Sequence, residues 1–148
     1  MGQGYELPLP AQGVKHIALV GGGYGVAPLL FLAQEAQVRG LQASVIIGAR
    51  TAASLLLVED FAALGLSPLV TTEDGSVGQR GRVTDALRLL LAGSVERPQA
   101  VFTCGPVGML QAVAEMAGQE NLPIQLGWEA TCAVGLVSVA VAKWGRVG

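Results

Sequence analysis

The stretch His16-Ile17-Ala18-Leu19-Val20-Gly21-Gly22-Gly23-Tyr24-Gly25-Val26-Ala27-Pro28 is a short apolar run that ends in glycines and leads into a helical pattern. His16 to Val20 reads as a first strand. After the glycines, Ala27, Leu29, Leu30, Leu32, Ala33 and Ala36 recur at helical spacing as far as Gly40, a good C-terminal stop. Gly21, Gly22, Gly23 and Gly25 therefore lie where backbone amides at a helix N-terminus can face an anion with no side chain between. Pro28 suits the first helical turn. The partial positive charge of the helix end and the free N–H groups act together on a pyrophosphate. The spacing departs from the usual G-x-G-x-x-G fingerprint: Val26 stands at the third glycine, and Arg50, not an acid, follows the second strand. An ordinary dehydrogenase is therefore disfavoured, and the competing reading is a tight strand-to-helix turn with no ligand.

Working outward, the same alternation continues. Ala43 to Ile47 is a β-branched run, Ser54 to Leu64 a helix closed by Gly65, and Leu66 to Thr71 a strand. Thr72 to Arg82 carries the turn formers Asp74-Gly75 and Gly78, before a helix that Thr84 is suited to cap and that runs towards Leu91. Gln99 to Thr103 is a strand, Val107 to Gln119 a helix, and Pro123 to Leu126 a last strand. Strands alternating with helices predict an α/β fold with a doubly wound, five-stranded parallel sheet, because right-handed crossovers lay each helix over the sheet.

Composition agrees and narrows the function. The chain has 148 residues, the size of one domain, with 51% hydrophobic and 14% charged residues, so much of it is buried on both sides of a layer. A formal net charge of -2 with scattered Lys and Arg offers no basic stripe for nucleic acid. Met1 to Gln12 lacks the basic start and apolar run of a secretory signal, and the longest apolar stretch, Ala130 to Ala142, is too short to span a membrane. Cys104 and Cys132 are too few for a disulfide framework and not spaced as metal ligands. The expectation is a cytoplasmic protein with no nucleic acid, membrane or metal partner.

A second constellation, Cys104-Gly105-Pro106-Val107-Gly108-Met109, follows the fourth predicted strand and lies on the same carboxyl edge of the sheet as the glycine loop. Ligands of open α/β sheets bind outside that edge, so a dinucleotide held by one loop reaches the other with its nicotinamide. Cys104 then borders the reactive ring, or it is simply a small buried residue at a strand end. No His or acid adjoins it in sequence to make it a nucleophile, and His16 has the place of a structural residue. Arg50 lies where the ribose or its 2′-phosphate would sit, and a guanidinium there can grip a phosphate with two prongs.

Together, Gly-Gly-Gly-Tyr-Gly-Val-Ala-Pro and Cys-Gly-Pro-Val-Gly-Met resemble the paired nucleotide motifs of the ferredoxin reductase-like superfamily. Within it the chain is similar to the electron-transfer subunits of bacterial dihydroorotate dehydrogenase, from Gly2-Gln3-Gly4-Tyr5-Glu6-Leu7 through Thr72-Glu73-Asp74-Gly75-Ser76 to Cys132. The resemblance implies an NAD(H)-binding domain that places nicotinamide for hydride transfer to a flavin held elsewhere. The residues it implies for the cofactor are Gly22, Gly23, Tyr24, Gly25, Val26, Pro28, Arg50, Asp74, Gly75, Gly105, Pro106 and Met109, with Cys104 beside the nicotinamide. Asp74-Gly75 is equally well read as a plain turn. The family likeness argues for NAD, while the missing acid after the second strand argues weakly for NADP.

In such subunits a flavin barrel precedes the NAD domain and an iron–sulfur segment follows it. Here residues 1–13 read as a lead-in, 14–130 as the NAD(P)-binding domain and 131–148 as an apolar tail where the iron–sulfur segment would be. FAD is therefore expected only through another domain or partner chain, and the chain reads as a piece of a longer protein. A plant-type cluster needs C-x4-C-x2-C; Cys132 fits the first position, but Val137 and Ala140 occupy the next two, so no cluster is expected. The rival function is a non-catalytic nucleotide-binding or assembly module, and an apolar face left by a missing barrel makes a homodimer an expectation as well.

Overall fold

The computed structural model describes residues 13–23, 26–93, 97–128 and 139–142. Its strands are β1 (His16–Gly22), β2 (Gln42–Ala49), β3 (Leu69–Thr72), β4 (Gln79–Arg80), β5 (Ala100–Gly105), β6 (Ile124–Trp128) and β7 (Val139–Ala142). The helices are α1 (Val26–Val38), α2 (Val58–Ala63), α3 (Val83–Ala92) and α4 (Val107–Gln119). One sheet has the strand order β4-β3-β2-β1-β5-β6-β7. Its first six strands pair in parallel, and β7 adds to β6 in the antiparallel sense.

The α/β class and the parallel order are as the sequence predicts, while the sheet is wider. The two-residue β4 and the edge strand β7, which falls in the apolar tail, extend the expected five strands to seven. The helix expected over Ser54 to Leu64 is instead a 3₁₀ turn at Ala52–Ser54 followed by the short α2. Leu57, at φ 62°, separates them, because a left-handed residue cannot continue a right-handed helix. β3 begins at Leu69, immediately after Pro68, whose ring cannot donate to a ladder.

Period-two alternation along the central strands divides the core. Ile17 and Leu19 of β1, Val45 and Ile47 of β2, and Phe102 and Cys104 of β5 face α1 and Phe61 of α2. Ala18 and Val20, Ile46 and Val101 face Val83 and Leu87 of α3 and Val113 and Ala117 of α4. Central strands covered on both faces read as continuous apolar runs, which is why β1 is buried along its whole length. At the amino end, His16 Nε2 lies 2.6 Å from Ser44 Oγ across the β1–β2 pair, a structural bond far from the carboxyl edge.

Candidate functional site

β1 has β2 on one side and β5 on the other, and the connections leaving β1 and β5 cross to opposite faces of the sheet. A crevice opens at such a switch point, outside the carboxyl ends of the strands. It holds a cavity of about 390 Å³ whose wall runs from Gly22 and Gly23, past Gly48 to Arg50, to Thr71, and on to the start of α3. Pro106, Gly108, Met109 and Ala112 close the other side.

The two loops singled out in the sequence meet on one methionine. A Cβ added at Gly22 would lie 2.8 Å from Met109 Sδ, and one at Gly105 would lie 2.6 Å from Met109 Cε and 3.3 Å from the Gly22 carbonyl oxygen. The flexible end of the Met109 side chain, from the first turn of α4, fills the space that side chains at these two glycines would occupy. Gly23 follows at φ 58°, and turns the chain towards α1.

Of the residues expected to hold a cofactor, Gly22, Gly23, Arg50, Pro106 and Met109 line the cavity. Gly105 is buried beneath Met109, and Val26 is a core residue on the α1 face. Pro28 lies in the first turn of α1 and is half-buried; Tyr24 and Gly25 lie outside the described residues. Cys104 is fully buried in the α1-side cluster and disulfide-bonded, and it is not among the residues that line this cavity. Pro106 and Met109 make the wall there. The chain's other cysteine, Cys132, and Val137 lie outside the described residues, and Ala140 is described only as part of β7.

Asp74 and Gly75 are exposed and outside the cavity wall, and Asp74 works as the turn former. Its Oδ1 accepts from Ser76 Oγ at 2.7 Å and from the Ser76 amide at 2.9 Å, and these bonds hold the carboxyl below its usual value of 3.8. Ser76 Oγ also accepts from the Ala52 amide at 2.8 Å, tying the loop after β3 to the 3₁₀ turn after β2. The Asp74 amide donates to the Arg50 carbonyl at 3.2 Å. Asp74 therefore braces the segment that carries Arg50 and Ser54, two cavity residues.

Sequence reasoning missed Gly48, Thr71 and Val83, and it read Thr84 as a helix cap, whereas Arg82 holds the N-cap of α3 and Thr84 lies in its first turn. Gly48 is paired with Thr71 in the β2–β3 ladder, and a Cβ there would lie 2.3 Å from Val83 Cγ1 and 3.0 Å from Thr71 Oγ1. A glycine at the end of a β-branched run was the available signal, at the same level of the sheet as Gly22.

The oxidoreductase NAD-binding domain family matches residues 19–115, which contain the entire cavity wall. The chain belongs to this family. Among its relatives are the dihydroorotate dehydrogenase B (NAD(+)) electron transfer subunits of Bacillus caldolyticus, 38% identical over 91% of this chain and 50% of the relative, and of Fusobacterium nucleatum, 34% identical over 97% and 54%. The chain spans about half the length of these curated relatives. A solved NADH-dependent reduced ferredoxin-NADP oxidoreductase superposes with TM-score 0.66 at 31% identity, over 76% of this chain and 40% of the other. The C-terminal domain of a Pyrococcus furiosus hydrogenase shares the fold, with TM-score 0.58 at 17% identity over 76% of this chain and 90% of its own. The family likeness read from the sequence, an NAD-binding domain of the ferredoxin reductase-like kind, is thereby borne out. Among the described residues no helix is long and apolar enough to cross a membrane.

Proposed function

We propose that this chain is the NAD(H)-binding domain of a flavin-dependent electron-transfer oxidoreductase, similar in role to the electron-transfer subunit of dihydroorotate dehydrogenase B. The observation that carries the reading is the convergence of Gly22–Gly23 and Pro106–Met109 on one cavity at the sheet's switch point. The residues fit a dinucleotide: close-packed glycines leave backbone rather than side chain at the β1 end, and the first turn of α4 presents unpaired amides beside it.

When bound, the nicotinamide supplies a hydride, two electrons with one proton, to a flavin N5 held by another domain or chain. This chain's residues bind and orient. Gly22 and Gly23 let the diphosphate approach the backbone, Pro106 and Met109 form the wall against the nicotinamide end, and Arg50 stands over the adenosine end. No described side chain at the cavity is needed to move a proton.

Titration with NADH, followed by fluorescence or calorimetry, tests the binding step. Saturable micromolar-range binding is expected, and a folded chain that binds neither NADH nor NADPH sinks the proposal. The electron-transfer step is tested by joining the chain to a related FAD domain and following NADH-dependent reduction of an artificial acceptor. Nucleotide binding without any reduction by the flavinated assembly would leave the assembly-module alternative standing.

A further inference from the structure

The Met109 side chain is wedged between the glycine-bearing ends of β1 and β5, and the residue also forms part of the cavity wall. A Cβ at Gly22 would lie 2.8 Å from Met109 Sδ, and a Cβ at Gly105 would lie 3.1 Å from the same atom, so the sulfur rests against both glycines. Behind it is the core layer shared by α3 and α4, which leaves the cavity as the open side. Met109 is only partly buried, and a small solute that enters the cavity reaches it.

Oxidation turns this flexible apolar side chain into a polar one that carries a strong acceptor oxygen. Hydrogen peroxide suffices as the oxidant. A lone pair on the sulfur attacks one peroxide oxygen, the S–O bond forms as the O–O bond breaks, and the departing oxygen leaves as water with both protons. The sulfur gives up two electrons and the peroxide takes them. The new oxygen has no room on the glycine side, where not even a methyl group fits, and burying it in the apolar α3–α4 layer without a donor is costly. It therefore turns into the cavity, across the wall that Pro106, Gly108 and Ala112 share with Met109.

We infer that Met109 is a modification site: its oxidation by peroxide switches nucleotide binding off, and reduction of the sulfoxide restores it. The inference rests on the dinucleotide reading for what the cavity binds. The sequence has three methionines, and Met116 supplies an internal comparison. It lies on the same helix, is also partly buried and packs against the same layer, but it is not part of the cavity wall.

The test is graded hydrogen peroxide treatment of the full chain, read by peptide mass spectrometry at each methionine and, once the peroxide is removed, by NADH titration of the same samples. Oxidation of Met109 is expected to slow when NAD+ fills the cavity, while the rate at Met116 ignores the nucleotide. NADH affinity should fall by about tenfold or more in step with Met109 oxidation, the scale of one unsatisfied polar group in a packed wall, while thermal unfolding stays cooperative. The two stereospecific methionine sulfoxide reductases with dithiothreitol should restore the affinity and dithiothreitol alone should not, which separates the sulfoxide from cysteine chemistry. Met109→Leu, compared with its own untreated sample, should keep its affinity through the treatment, and Met116→Leu should lose it as wild type does. Affinity that survives full oxidation of Met109, a Met109 that stays reduced while Met116 oxidises, a Met109→Leu chain as sensitive as wild type, or an oxidised chain that unfolds each overturns the inference but not the domain's function. An untreated wild type that binds neither NADH nor NADPH overturns the function, and the inference with it.

Discussion

Replacing Gly48 with alanine tests the packing that shapes the cavity. The new methyl would stand 2.3 Å from Val83 Cγ1, more than an ångström inside the roughly 3.5–4.0 Å at which carbon atoms meet comfortably. Val83 is 5% exposed at the first helical position of α3, and a β-branched residue in a helix has essentially one χ1 well, so its methyl cannot rotate clear. The start of α3 must therefore move. Overpacking of this kind costs about 1–3 kcal/mol, against which alanine recovers about 0.5–1 kcal/mol of the entropy penalty of glycine in a strand. A contact as short as 2.3 Å takes the upper part of that cost, about 2–3 kcal/mol, so the net is roughly 1–2.5 kcal/mol, or a fall of about 2–10 °C in Tm for a domain near this size. NADH affinity should drop too, because Val83, Thr84 and Thr71 share the wall with Gly48. The assay is thermal denaturation of wild type, Gly48→Ala, Val83→Ala and the double variant. Removing Val83 Cγ1 relieves the clash, so the double variant should be about 1 kcal/mol or more better than the sum of the single changes. A Gly48→Ala protein as stable as wild type, or strictly additive single changes, would refute the reasoning.

The other expectations follow from the same geometry. Gly105→Ala pushes the flexible end of Met109 into the cavity, so NADH affinity should fall several-fold in a titration while the melting temperature changes little. Arg50→Gln should weaken NADH binding by roughly tenfold at low salt, the scale of a charge-assisted hydrogen bond, and the difference from wild type should shrink in 1 M salt. Asp74→Ala releases Ser76 and with it the Ala52 amide, so binding should weaken about two- to tenfold though Asp74 touches no cavity. The Asp74 carboxyl is held below its usual 3.8, so what it adds to stability is complete above that value and disappears as pH falls through the lower folded value. Unfolding followed by circular dichroism at a series of pH values should show wild type more stable than Asp74→Asn above about pH 4, with the gap closing as pH falls below it; a gap that persists or widens on acidification would contradict it.

Much of the site was legible in the residues because it depends on local signals. An apolar run broken by Gly21-Gly22-Gly23, and another broken by Gly105-Pro106, each mark a strand turning into a helix, and the parallel order places both turns on one edge. The far wall depends on contacts between residues distant in sequence. Gly48, Thr71 and Val83 meet only after β2, β3 and α3 have assembled, and of the three only Gly48 carries a signal in its own segment. Cys104 directly follows the expected strand, and the face it takes, the α1 side, is set by the register of β5 in the sheet. The Ser54 to Leu64 pattern reads as one helix because its leucines hide the left-handed turn at Leu57. β4 is two residues long, too short for any period to register.

The two core clusters on either side of the sheet separate the tasks of this small protein. Phe61, Ala36, Leu32 and Val45 lie in the layer beneath α1 and α2, with the sheet between them and the cavity, whereas Val83 and Met109 belong to the layer that also forms the binding wall. Repacking the first layer, away from Val26 and the glycine loop, should shift the melting temperature with little change in nucleotide affinity; repacking the second changes both together. An engineer seeking a sturdier protein with its specificity intact would work on the α1 face, and one seeking a different nucleotide would work on the α3 face.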